Sequence, residues 1–92
     1  MYKIVLTKRA EKSLTTLPED FQSRCGDIFE ELQYSFAPIR LDIIKLKGYT
    51  GTYRIRLGDW RIIYNVDKKN KLIIVYDILP RKTAYRLKTM IE

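Results

Sequence analysis

The fold turns on Tyr53-Arg54-Ile55-Arg56-Leu57-Gly58-Asp59-Trp60-Arg61-Ile62-Ile63-Tyr64. Ile, Tyr and Trp dominate its apolar positions, which suits strands. A glycine in the first place of a two-residue loop suits a type II′ hairpin. The reading is two antiparallel strands, Thr52–Leu57 and Trp60–Val66, joined by Gly58-Asp59. Strand alternation puts Arg54 and Arg56 on one face and Ile55 and Leu57 on the other. In the second strand Trp60, Ile62 and Tyr64 alternate with Arg61, Ile63 and Asn65. A tight hairpin keeps the strands adjacent, so Arg61 can lie beside Arg56.

Towards the C-terminus, Asp67-Lys68-Lys69-Asn70 leads to a third β-rich run, Leu72–Leu79, and residues 81–91 suit a short final helix. Towards the N-terminus, residues 39–51 read as a connection containing Lys45, Lys47, Gly48 and Gly51, with Pro38 ending the helix before it. That helix carries Phe21, Cys25, Ile28, Phe29, Leu32 and Phe36 on one face, and Ser23, Asp27, Glu30 and Glu31 point away. Pro18-Glu19-Asp20 opens it, with proline and acids where a helix start favours them. An earlier helix begins near Lys8, capped by Thr7, with Ala10, Leu14 and Leu17 at helical spacing. Residues 2–6 read as a strand. The order β-α-α-β-β-β-(α) predicts one α+β domain over residues 1–92, a helical hairpin packed on one face of a mostly antiparallel sheet. The other face would be open to a flat or extended ligand.

Composition limits the chemistry. The chain has 92 residues, 46% of them hydrophobic, with 18 Lys+Arg, 11 Asp+Glu and no histidine. Without histidine there is no His-based triad or His–Cys dyad. Cys25 is alone, so neither a disulfide framework nor a Cys/His zinc site is expected. It belongs to the apolar stripe of its helix and reads as core. A lone cysteine fits a reducing cytosol, and the opening MYKIVLTKRA lacks the apolar stretch of a signal peptide. No membrane span is expected.

The net charge of +7 is unevenly placed. Residues 1–39 hold 5 basic and 6 acidic side chains, while residues 40–92 hold 13 and 5. Eight of the 18 cations are arginines, whose guanidinium fork matches phosphate oxygens. Arg54, Arg56 and Arg61 converge on one sheet face, and Arg81 follows the third strand with Tyr85 one helical turn further on. Clustered guanidinium groups repel unless an anion joins them. Asp42, Asp59 and Asp77 are too few to neutralise these four arginines together with Lys45 and Lys47. The residues therefore point to a phosphate-binding surface for nucleic acid. Tyr49, Tyr53, Trp60, Tyr64 and Tyr85 interleave with it, and could stack on bases. Trp60 and Tyr64 share the apolar parity and read as core.

At these residues the sequence resembles the RelE/ParE toxin superfamily. The likeness rests on Lys45-Leu46-Lys47-Gly48, the hairpin block Tyr53 to Tyr64, and Pro80-Arg81-Lys82-Thr83-Ala84-Tyr85, and it spans nearly the whole chain. It implies a microbial-RNase-like toxin domain. RelE-like members cut messenger RNA in the ribosomal decoding site and are neutralised by an acidic, RelB-like antitoxin. Matched position by position, the resemblance implies Arg56, Arg61, Arg81 and Tyr85 as catalytic residues. Arg54, Lys45, Lys47, Lys82 and Arg86 would contact RNA or ribosome. Arg54 and Arg56 stand where the best-known RelE-type site has lysines, and Pro80 stands where many relatives carry histidine.

The implied reaction is attack of the RNA 2′-hydroxyl on its own 3′-phosphate, giving a 2′,3′-cyclic phosphate and a 5′-hydroxyl. It calls for no metal and no cofactor. Arginine cannot serve as its base, so the proton falls to Lys47 or Lys45, to water, or to a ribosomal group. The resemblance leaves two further readings: a ParE-like toxin that inhibits DNA gyrase, and a non-catalytic nucleic-acid-binding domain.

Overall fold

Thr7 stops the first strand and starts the first helix: its side chain accepts a hydrogen bond from the Ala10 N–H at 3.1 Å. The computed structural model describes residues 1–84. They form β1 (Lys3–Leu6), α1 (Lys8–Thr16), α2 (Glu19–Leu32), β2 (Ile43–Lys45), β3 (Thr52–Leu57), β4 (Trp60–Asp67) and β5 (Leu72–Pro80). Residues 81–84 are helical. The rest of the predicted final helix, with Tyr85 and Arg86, lies outside the described residues. One sheet runs β1-β5-β4-β3-β2. β1 is parallel to β5, and the other pairs are antiparallel. Between β1 and its parallel neighbour β5 the chain passes through the helical hairpin and then β2, β3 and β4.

The predicted α+β order holds, with one strand added. Residues 39–51 are not a continuous connection, because Ile43–Lys45 pairs with β3 and sets Ile44 opposite Arg54. Three residues are too short to announce a strand by alternation. The outer edge of β3 supplies the reason, since pairing satisfies backbone groups on both segments.

The β3–β4 hairpin matches expectation. Its register runs from Thr52 opposite Asn65 to Leu57 opposite Trp60. Gly58 has φ +58°, and among the described residues Lys71 alone is a non-glycine with positive φ. Asp59 is therefore outside the left-handed region, as type II′ requires and type I′ does not. A Cβ on Gly58 would meet the Phe21 ring of α2 at 3.0 Å.

The third long strand breaks its own alternation. Ile63 pairs with Asp77 and Tyr64 with Val75, which leaves Tyr76 as a bulged extra residue. The bulge lets both Val75 and Ile78 enter the core, and it keeps Asp77 out of it. The Asp77 carboxylate accepts from Ser13 Oγ at 2.6 Å and from the Ile78 N–H at 2.8 Å. The bulge is locked from the helix side, where Thr7 Oγ1 donates to the Tyr76 carbonyl at 2.6 Å.

The core lies between the helices and one sheet face. Ala10, Leu17, Cys25, Ile28 and Leu32 meet Ile55, Leu57, Ile62, Tyr64, Val66, Ile73, Val75 and Ile78. Tyr64 is fully buried, stacks on Tyr53 with centroids 5.5 Å apart, and donates its hydroxyl to the Phe36 carbonyl at 2.8 Å. These two tyrosines are structural. The opposite sheet face is not bare as expected: Thr52, Arg61, Ile63 and Asp77 on it are all buried. On that face Ser13 and Arg9 of α1 reach Asp77. Among the described residues no helix is long and apolar enough to cross a membrane.

Gly51 has φ +69°, and a Cβ there would lie 2.9 Å from the Val66 carbonyl oxygen. That obstacle is backbone and cannot rotate away. Gly51→Ala is expected to cost about 1–3 kcal/mol, read as a lower urea midpoint at unchanged m value. Burial raises the Cys25 thiol from 9.0 to about 11. The folded state then holds this proton more tightly than the unfolded state. Its contribution is complete below about pH 9 and is lost as pH climbs through about 11. Urea titrations at pH 8 and above pH 10 are expected to show a smaller decline in Cys25→Ala than in the parent chain.

Candidate functional site

Arg56 of β3 and Arg61 of β4 are direct cross-strand partners. Like charges in that relation destabilise a sheet, so the surroundings must hold them. The Arg61 side chain is curled back on the turn, and its NH1 donates to the Gly58 carbonyl at 2.8 Å and the Trp60 carbonyl at 2.9 Å. The same turn fixes Arg81: its backbone N–H donates to the Asp59 carbonyl at 2.8 Å. Two main-chain carbonyls thus hold one arginine side chain, and a third holds the backbone of another.

Arg54 lies on the same face as Arg56, two residues earlier. One carboxylate serves both. Asp42 Oδ2 is 3.1 Å from Arg56 Nε, and Oδ1 is 3.5 Å from Arg54 NH2. The Asp42 carbonyl also accepts the Arg56 N–H at 2.9 Å, continuing the β2–β3 ladder by one residue. Arg54 Nε is buried without any hydrogen-bond partner among the described residues. An orphaned donor on a charged group is costly, and it sits within a cluster already short of anions. Asp77 is occupied by Ser13 and its own strand, with Arg9 at 4.0 Å. Of the three carboxylates weighed from sequence, only Asp42 pairs with the cluster among the described residues.

The charge shows on Arg61. Burial lowers its pKa from the ordinary value, and Arg54, Arg56 and Arg81 lower it further, against a rise from Asp42. It remains a cation at neutral pH. Four guanidinium groups therefore share one field, with one half-exposed carboxylate among them. A phosphate is the ligand whose charge and oxygen geometry answer that field.

The other candidates fall elsewhere. Lys45 is opposite Tyr53, three positions from Arg56 and so about 10 Å along the strand. Lys47 follows beyond the end of β2. Both are exposed, beside Gly48 and the half-exposed Tyr49, around a concavity of about 570 Å³. Lys82 is exposed on the helical segment after Arg81. Tyr85 and Arg86 lie outside the described residues. Sequence reasoning weighed Asp42 only as one of three possible partners of the arginines, because residues 39–51 read as connection. With β2 in place, Asp42 shares the face of Ile44 and hence of Arg54, which alternation alone would have given.

Residues 4–85 match the family described as the ParE toxin of the type II toxin–antitoxin system parDE. A curated relative, Toxin RelE3 of Methanocaldococcus jannaschii, is 36% identical over 85 residues, covering 90% of this chain and 94% of its own length. The archaeal RelE–RelB complex from Pyrococcus horikoshii superposes with a TM-score of 0.80 at 36% identity, over 87% of this chain and 94% of that one. The RelB–RelE complex from Methanococcus jannaschii superposes with a TM-score of 0.77 at 36% identity, over 90% and 96%.

If the cluster holds phosphates, Arg56→Ala is expected to weaken binding of single-stranded polyuridylate whatever its length register. The slope of log K against log salt should become shallower by about 0.7 for the one lost contact. Fluorescence titrations at four salt concentrations would read it, and an unchanged slope would place the phosphate elsewhere.

Proposed function

We infer the function from the family and the cluster together: the chain belongs to the RelE/ParE toxin superfamily of type II toxin–antitoxin systems, and we propose that it is a ribosome-dependent messenger-RNA endoribonuclease. Its place of action is the decoding site in the cytoplasm. Its effect is arrest of translation. Its antagonist is an acidic, RelB-like antitoxin, a reading supported by the solved RelE–RelB complexes of its relatives.

The observation that supports this reading is the cluster of Arg54, Arg56 and Arg81 around Arg61, in which one carboxylate, Asp42, pairs with Arg54 and Arg56. In the proposed reaction the 2′-oxygen attacks the adjacent phosphorus in line, and the bond to the 5′-oxygen breaks. Charge builds on the non-bridging oxygens as the phosphorane forms. Arg61, whose side chain is pinned by two carbonyls, faces that charge already positioned, and Arg81, whose backbone is anchored by the Asp59 carbonyl, brings a second guanidinium to it. Arg56 and Arg54 hold the scissile or flanking phosphate. Arg81 also stabilises the departing 5′-oxygen, and Tyr85 orients the nucleotide. The lysines at 45 and 47, with Lys82 and Arg86, extend the basic surface to ribosomal or messenger phosphates.

The family match also carries the ParE name, which keeps gyrase inhibition as the second reading. One experiment separates them: add the purified protein to a translation system and map RNA 5′ ends. Cuts in ribosome-bound messenger are expected, each reduced about 10²–10³-fold in Arg61→Ala and in Arg81→Ala. Intact messenger with arrested supercoiling in a gyrase assay would instead support the ParE-like reading. Intact messenger, unaffected gyrase and salt-sensitive RNA binding would leave a non-catalytic binding domain.

A further inference from the structure

The cleavage proposed above needs a group to take the 2′-hydroxyl proton, and no arginine can. Lys45 and Lys47 lie off the cluster. Lys45 sits opposite Tyr53, and Tyr53 packs against the core on the helix side of the sheet. Asp77 is held by Ser13 on the α1 side. Asp59 makes no ion pair with the cluster among the described residues. Asp42 is the carboxylate that touches the cluster among the described residues.

We propose that Asp42 is the general base of the reaction, a role that rests on the endoribonuclease reading. The geometry suits it. Its main chain is tied to β3 through the Arg56 N–H at 2.9 Å, and its two oxygens point one at Arg56 and one at Arg54. The side chain is nonetheless 50% exposed. A carboxylate offers about four lone-pair positions, and the guanidinium contacts leave the others open. Asp42 and Arg56 also line a groove of about 430 Å³ between α2 and the β3–β4 turn, with Arg24, Asp27 and Arg40 on its other walls. A phosphate bound by Arg56 lies on the guanidinium that Asp42 already contacts, which brings the neighbouring 2′-hydroxyl to the carboxylate. Arg56 thus substitutes for a proton acceptor indirectly, by holding one.

The step balances as follows. The 2′-hydroxyl proton passes to an Asp42 oxygen, and the freed electron pair forms the O2′–P bond. The P–O5′ bond breaks with its pair on O5′, which takes a proton from water. Asp42 returns its own proton to the solvent. The charged groups facing Asp42 are Arg54 and Arg56 from β3, Arg61 from β4, and Arg24 and Asp27 from α2, with Arg40 just before it in the chain.

The test is single-turnover cleavage of a defined messenger on ribosomes, with ribosome association measured in parallel. Asp42→Asn is expected to slow cleavage about 10²–10³-fold, by more than any change in association. Asp42→Glu, which keeps a carboxylate, should recover part of the rate. Cleavage at the wild-type rate in Asp42→Asn overturns the proposal. So does a loss no larger than the loss of association, or an Asp42→Glu rate no higher than that of Asp42→Asn. If Asp42→Asn does not fold, Asp42→Ser takes its place in the same comparison. Failure of the wild-type protein to cut would sink the endoribonuclease reading and Asp42 with it. Failure of Asp42 alone leaves wild-type cleavage intact.

Discussion

A two-residue turn organises this molecule. Gly58-Asp59 sets the register that makes Arg56 and Arg61 partners. It then spends its own carbonyls on the arginines, Gly58 on the Arg61 side chain and Asp59 on the Arg81 backbone. The carbonyl dipoles offset part of the repulsion that the register creates. A type I′ turn would keep the register and redirect those carbonyls. Fold and site are therefore specified by the same backbone torsions.

Much of this was legible because the hairpin is strongly patterned. Arginine and isoleucine alternate through Arg54, Ile55 and Arg56, and the glycine falls where a type II′ turn needs it. The helices were legible for a similar reason: Thr7 caps, prolines punctuate, and the apolar stripe from Phe21 to Leu32 has the helical period. The failures share a different cause. β2 is set by what its neighbour offers rather than by its own three residues, so nothing singled out Asp42 among the three carboxylates weighed against the arginines. The bulge at Tyr76 is likewise a compromise between distant elements. It reconciles a parallel pairing of β5 with β1 and an antiparallel pairing with β4, and no local pattern announces it.

The division of charge has a structural counterpart. The near-neutral first part of the chain supplies β1 and the helices that cover the sheet, and the basic remainder supplies the face that carries the arginines. Asp77 shows how firmly the two are kept apart. It lies in the basic half, yet Ser13 of α1 draws its carboxylate away from the cluster. Asp42 is then left alone among arginines, and Arg54 Nε is left with no acceptor. Such unmet demand lowers the stability of the free protein and raises the gain on meeting a phosphate. Strain of this kind is tolerated at functional sites because the surrounding structure over-determines them.

The contact between Gly58 and Phe21 bears on how the site moves. A ring from α2 closes so tightly on the turn that even a methyl group would collide with it. The turn therefore cannot move inward without displacing a ring of the helix layer, so a shift of α2 at Phe21 is felt at the turn that carries the arginines.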